Sequence, residues 1–199
     1  QQREDARLAI AGEDLQALLR WMRGQGADAV VMEVSSHSLA LHRVAACAFD
    51  VAVFTNLTQD HLDFHGTMDN YFAAKAQLFT MLREKGGTAV INLDDPAGKR
   101  LREMTRAPVV TYGLTAEADV TAVAATYDLQ GIRASIRTPW GTGELRSPLL
   151  GRHNLYNLLA AVGVAGALKI PIERIIEGLA TGRRVPGRLE VVEVGQPFK

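Results

Sequence analysis

Apolar positions change their spacing several times along the chain, and each change marks an element. From Asp14 to Arg23, Leu15, Leu18, Leu19 and Met22 recur at three- and four-residue intervals, the period of an amphipathic helix. Acidic residues open this segment, Arg20 and Arg23 close it, and Gly24 follows, as helix start and stop signals require. Ala29-Val30-Val31-Met32-Glu33-Val34 is instead a nearly continuous apolar run, and Val51-Ala52-Val53-Phe54-Thr55 is a second. Runs of that kind are expected of strands covered on both faces. Asp69 to Arg83 returns to helical spacing. Thr88–Asn92 and Pro108–Tyr112 predict two further strands, separated by a short helix near Ala97–Met104. Helices alternating with apolar strands imply an α/β domain whose largely parallel sheet is flanked by helices. Its ligand groups are then expected beyond the carboxyl ends of the strands.

After Tyr112 the pattern shortens. Val120–Thr126, Gly131–Thr138 and Gly143–Ser147 are β-rich and punctuated by glycine, predicting a small antiparallel β subdomain over about residues 118–149. Helical spacing resumes at Asn154–Leu168 and Ile172–Leu179, with Pro171 in a first-turn position. Leu189–Val194 predicts a last strand. No internal repeat or low-complexity segment interrupts the series.

Composition narrows the function classes. The 199 residues carry 22 Lys plus Arg and 22 Asp plus Glu. A neutral balance offers no electrostatic footprint for nucleic acid or an anionic membrane. The single cysteine, Cys47, cannot form an internal disulfide and reads as a small core residue of a reducing compartment. The longest apolar run, Leu158–Leu168, falls short of the roughly 20 residues needed to span a bilayer. Together with the lack of a signal-peptide pattern, this predicts a cytoplasmic protein without membrane insertion.

Several polar constellations could carry chemistry. Glu33-Val34-Ser35-Ser36-His37 follows a predicted strand directly. Its carboxylate suits Mg²⁺ and its hydroxyls suit phosphate or carboxylate oxygens, although a polar strand-to-loop junction would look the same. Thr55 to Gly66 follows the next strand and places Asp60, His61, Asp63 and His65 within six residues; a solvated loop is the alternative. Met68, Tyr71, Phe72, Lys75, Leu78, Phe79 and Leu82 form one helical stripe in which only Lys75 is charged. A buried lysine must pair, lose its proton or be modified; a half-buried one can snorkel, its stem covering apolar surface. In Gly151-Arg152-His153-Asn154-Leu155-Tyr156-Asn157, Asn154 has the character of a helix N-cap, and Asn157 offers an amide one turn on. Arg183-Arg184-Val185-Pro186-Gly187-Arg188-Leu189-Glu190 presents arginines from a Pro-Gly loop, a form suited to phosphate. The sequence G-x-x-x-x-G-K-[ST] occurs nowhere in the 199 residues, so these residues hold no phosphate-cradling loop of that type.

In their order, these segments resemble the Mur ligase family, its MurE branch above all. The matching stretches are Met32–Leu39 with Arg43, Thr55–Gly66, Tyr71–Lys75, Asn92-Leu93-Asp94-Asp95, Gly151–Asn154 with Asn157, and Pro186–Glu190. Any one of them is weak, but the ordered set is specific and covers nearly the whole chain. The resemblance implies an ATP- and Mg²⁺-dependent ligase that joins a diamino acid, diaminopimelate or lysine, to a UDP-N-acetylmuramoyl dipeptide in peptidoglycan synthesis. It implies Glu33 and His61 as magnesium ligands and Lys75 as a carbamylated lysine supporting the metal. Ser35 and Arg43 would hold the UDP-muramoyl peptide, Asn154 and Asn157 the adenine side of ATP, and Arg188 the ATP phosphates. Residues 1–194 would then be a central ATP-binding domain without its P-loop, with 195–199 opening a linker, and the protein a monomer.

The departures belong to the same reading. Ala9-Ile10-Ala11-Gly12 stands where the family carries a Thr-Thr-Pro substrate element. The P-loop is expected upstream, and the isolated segment is expected to be inactive. A folylpolyglutamate synthase is the neighbouring alternative, and the Ser35-Ser36-His37 and Asp60-His61-Leu62-Asp63 runs favour the MurE branch over it. A metallohydrolase is disfavoured because the five histidines supply no second His-rich cluster. A non-catalytic nucleotide-binding module is the third reading.

Overall fold

The computed structural model describes residues 12–182. Expectations for Ala9–Ala11 and for Arg183 onward, Arg188 and the last strand included, lie outside the described residues. The described residues divide into two compact units, one of residues 12–49 together with Thr58–Arg83, the other of Asp50–Leu57 together with residues 84–182.

In the first unit, helix α1 (Gly12–Gly24) has Arg23 in its last turn. Helix α2 (Ser36–Ala40) starts at a capping serine, and short helix α3 (Leu62–His65) precedes α4 (Met68–Thr80). Leu15 of α1, Leu39 of α2 and Val44 form a small apolar centre, onto which Met32, Val34, Cys47, Leu78 and Met81 pack. The apolar run Ala29–Val34 is not a strand: its backbone is irregular, Val30 is 45% exposed and Val31 is 97% exposed. A strand exists through hydrogen bonds to a neighbouring strand, and among the described residues no strand pairs with this segment. Apolar character alone therefore overstated its order, and only Met32 and Val34 find apolar cover.

The second unit holds a six-stranded sheet in the order β1 (Val51–Phe54), β2 (Thr88–Asn92), β3 (Val109–Gly113), β4 (Val120–Asp128), β5 (Gly131–Thr138), β6 (Gly141–Ser147). The first four strands pair in parallel, and β4–β5–β6 pair antiparallel through two hairpins. The glycine-punctuated strands thus extend the parallel sheet across the β3–β4 pair and do not form a sheet of their own. Helix α5 (Pro96–Met104) links β2 to β3. Helices α6 (Arg152–Ala167) and α7 (Ile172–Ala180) lay Leu155, Leu158, Leu159, Val162, Ile172 and Ile175 against Val90, Tyr112, Val120, Ile132, Ile136 and Leu145. Full removal of such side chains from water contributes about 1.5–3 kcal/mol each, which makes this the core that seats the strand ends.

Candidate functional site

Two polar constellations stand out, one in each unit. In the first unit, Ser35 caps α2: its Oγ accepts from the Ser38 N–H at 3.2 Å and lies 2.9 Å from Ser38 Oγ. The next residue, Ser36, is buried, with Oγ 3.0 Å from His65 Nε2. Around this pair gathers an aromatic cluster. The His37 ring lies 4.9 Å from His61, 4.3 Å from Phe64 and 5.6 Å from His65, and His65 stacks on Tyr71 at 5.0 Å. Burial is the main cause holding His65 below the usual imidazole range, followed by the neighbouring rings of His37 and His61. Burial, then the Asp60 carboxylate, pushes the Tyr71 phenol up.

His61 adopts φ 54, ψ 25, a left-handed conformation uncommon outside glycine. Such strain gathers where a side chain must be aimed. The Asp60 carboxylate lies 3.5 Å from His61 Nε2, and both side chains are open to solvent. Glu33 is exposed. The expectation that Glu33 and His61 emerge from neighbouring strands does not hold, because residues 29–34 form no strand. Lys75 is half-buried and not enclosed; its Nζ lies 5.1 Å from the centre of the Tyr71 ring, a cation–π contact that offsets part of the desolvation. Arg43 is half-buried, and among the described residues its guanidinium has no hydrogen-bond or ion-pair partner.

In the second unit, side chains tie the carboxyl ends of three parallel strands together. Asn92 Nδ2 donates to the Thr55 carbonyl at 2.7 Å, and Tyr112 Oη donates to the Phe54 carbonyl at 3.1 Å. Asp95 caps α5 through Ala97 N–H and also accepts from Leu57 N–H at 2.9 Å. Against these ends stands the first turn of α6. Its N-cap is Gly151 at φ 84, a backbone conformation suited to glycine. Asn154 is therefore not the cap: it lies inside the helix, where Nδ2 donates to the Leu150 carbonyl at 2.7 Å and Oδ1 accepts from Asn157 Nδ2 at 3.0 Å. The two asparagines, one helical turn apart, form one linked pair. Asn92, Asp94 and Asp95 bind this region together, and sequence reading gave them no role; an Asn-x-Asp-Asp run just past a strand was the signal available.

The model of the Mur ligase middle domain matches residues 12–165. The chain belongs to the Mur ligase family. A UDP-N-acetylmuramoyl-L-alanyl-D-glutamate–2,6-diaminopimelate ligase from Geobacter sulfurreducens is 50% identical over 184 residues, covering 90% of this chain and 36% of the relative. The solved structure of a ligase of the same name superposes with a TM-score of 0.82 at 33% identity, over 90% of this chain and 37% of that one. A MurF ligase from Thermotoga maritima, solved in complex with ADP, shares the fold at a TM-score of 0.65 and 23% identity, over 76% of this chain and 35% of its own. The chain thus spans about a third of the Mur ligases that it matches. Among the described residues, no helix is long and apolar enough to cross a membrane.

Proposed function

We propose that this chain is the nucleotide-handling middle part of a ligase that adds diaminopimelate to a UDP-N-acetylmuramoyl dipeptide. One observation carries the reading: half of the residues are identical, over nine-tenths of the chain, to a ligase named for that reaction. In this reading ATP converts the dipeptide's carboxylate into an acyl phosphate, and the incoming amine then displaces phosphate with formation of the amide bond. Asn154 and Asn157 present a fixed pair of amides to the adenine edge. Arg43, a half-buried cation without a protein partner among the described residues, attracts the anionic muramoyl substrate beside Ser35.

The residues present fit magnesium. No three His, Cys, Asp or Glu side chains gather into a metal-holding group among the described residues. Mg²⁺ does not require one, because it keeps several waters and takes phosphate oxygens alongside one or two protein ligands. Glu33 and His61 would hold it, and the aimed, left-handed backbone of His61 supports that role. When bound, the ion offsets charge gathering on the transferred phosphoryl group. Lys75 would supply an anion nearby: its neutral amine attacks carbon dioxide, a C–N bond forms, a proton leaves to solvent, and a carbamate remains. Arg188 would complete the phosphate contacts.

Isotope transfer tests the chemistry. When the acceptor carboxylate of the UDP-linked dipeptide is labelled with heavy oxygen and the full-length protein is supplied with ATP, Mg²⁺ and diaminopimelate, one labelled oxygen should appear in the released phosphate. Product formed with unlabelled phosphate would exclude the acyl-phosphate route.

A further inference from the structure

Asp94 lies two residues past the end of β2, and its carboxylate joins three elements. One oxygen, Oδ2, accepts from the Leu114 N–H at 2.6 Å, just beyond β3, and from Tyr156 Oη at 2.9 Å, in the first turns of α6. The backbone N–H of Asp94 donates to Asn92 Oδ1 at 3.0 Å, which fixes the turn that carries it. The other oxygen, Oδ1, is buried and has no hydrogen-bond partner among the described residues. Leaving a buried acceptor unmade is costly, so this carboxylate is retained against a penalty. The neighbouring backbone is shaped around it: a Cβ at Gly113 would stand 2.7 Å from Oδ1 and 2.9 Å from Cγ.

Tyr156 lies between Asn154 and Asn157 along α6, two residues after the first and directly before the second. On the core side that turn is held by Leu155 and Leu158, which are buried. Apolar contact is non-directional and leaves the helix able to roll or slide slightly. A hydrogen bond is directional, and the bond from Tyr156 to Asp94 supplies a fixed second point. We infer that Asp94 is a positioning residue for nucleotide binding, clamping the first turn of α6 through Tyr156 so that Asn154 and Asn157 are held at the strand ends. This rests on those asparagines facing the nucleotide, and it adds a residue pair that touches no substrate.

The test uses the full-length protein and reads the KM for ATP and the Kd for ADP, beside kcat and thermal stability. Tyr156→Phe removes one bond to a charged acceptor, so KM for ATP and Kd for ADP should rise roughly tenfold. The kcat should change by less than about twofold, as expected when binding common to the ground state and the transition state is lost. Gly113→Ala should give the same pattern with both bonding partners intact, because its Cβ displaces the Asp94 carboxylate. A lower melting temperature with unchanged nucleotide affinity in both variants would overturn the inference and leave Asp94 a stabilising residue only. Asn154→Ala separates the two levels. If it weakens ADP binding while Tyr156→Phe and Gly113→Ala do not, the positioning role fails and the nucleotide reading stands. If Asn154→Ala binds ADP normally, the nucleotide reading fails and the positioning role with it.

Discussion

Lys75 and His65 show how single groups are set by what surrounds them. Lys75 is half-buried, with its Nζ 5.1 Å from the centre of the Tyr71 ring, whose π face offsets part of the cost of drawing the ammonium from water. In the full-length protein, Lys75→Ala should abolish turnover, and added short-chain carboxylates should partly restore it by supplying the lost anion. Near-normal turnover in that variant would reduce Lys75 to a snorkelling side chain. His65 gives a pH dependence of known sign. Its folded-state pKa lies below the ordinary value of 6.5, so below that value the unfolded chain binds more protons than the folded one. The stability contributed by neutral His65 is present above pH 6.5 and is lost as pH falls through the lower folded value. The melting temperature should drop on acidification from pH 7, and His65→Gln should flatten that slope; an equal slope in the variant would assign the loss elsewhere.

At the scale of elements, α6 seats the parallel strands, and Leu159 at its centre is fully buried. Leu159→Ala should cost about 2–5 kcal/mol in chemical denaturation, and a loss well under 1 kcal/mol would mean the helix repacks freely. Elements of this kind were legible: α6, α7 and β5 each bury a face whose period shows in the residues themselves, and β2 is a short apolar run buried on both faces. The run Ala29–Val34 was not: its apolar character matches a covered strand, but pairing depends on a partner that local pattern does not contain. The start of α6 was misread for a related reason, since Gly151 at φ 84 opens the helix earlier than the asparagine whose type suggested a cap. The candidate site residues came from ordered motifs, whereas the Asp94–Tyr156 bond spans 62 residues of sequence and leaves no trace in local spacing.

For the whole molecule, family membership rests on the match over residues 12–165, and the proposed activity rests on likeness to ligases of about three times the length. The 199 residues contain no G-x-x-x-x-G-K-[ST] sequence, so this segment purified alone should not release phosphate from ATP even with both substrates; substrate-dependent release would refute that. The most direct measurement is phosphate release by the full-length protein with ATP, Mg²⁺ and the UDP-linked muramoyl dipeptide, with each candidate amino acid added in turn. Release that requires the dipeptide and diaminopimelate together, with the UDP-linked tripeptide formed in equal amount, is the predicted result. Release that proceeds with a folate and glutamate instead, or none with any acceptor, would contradict the assignment.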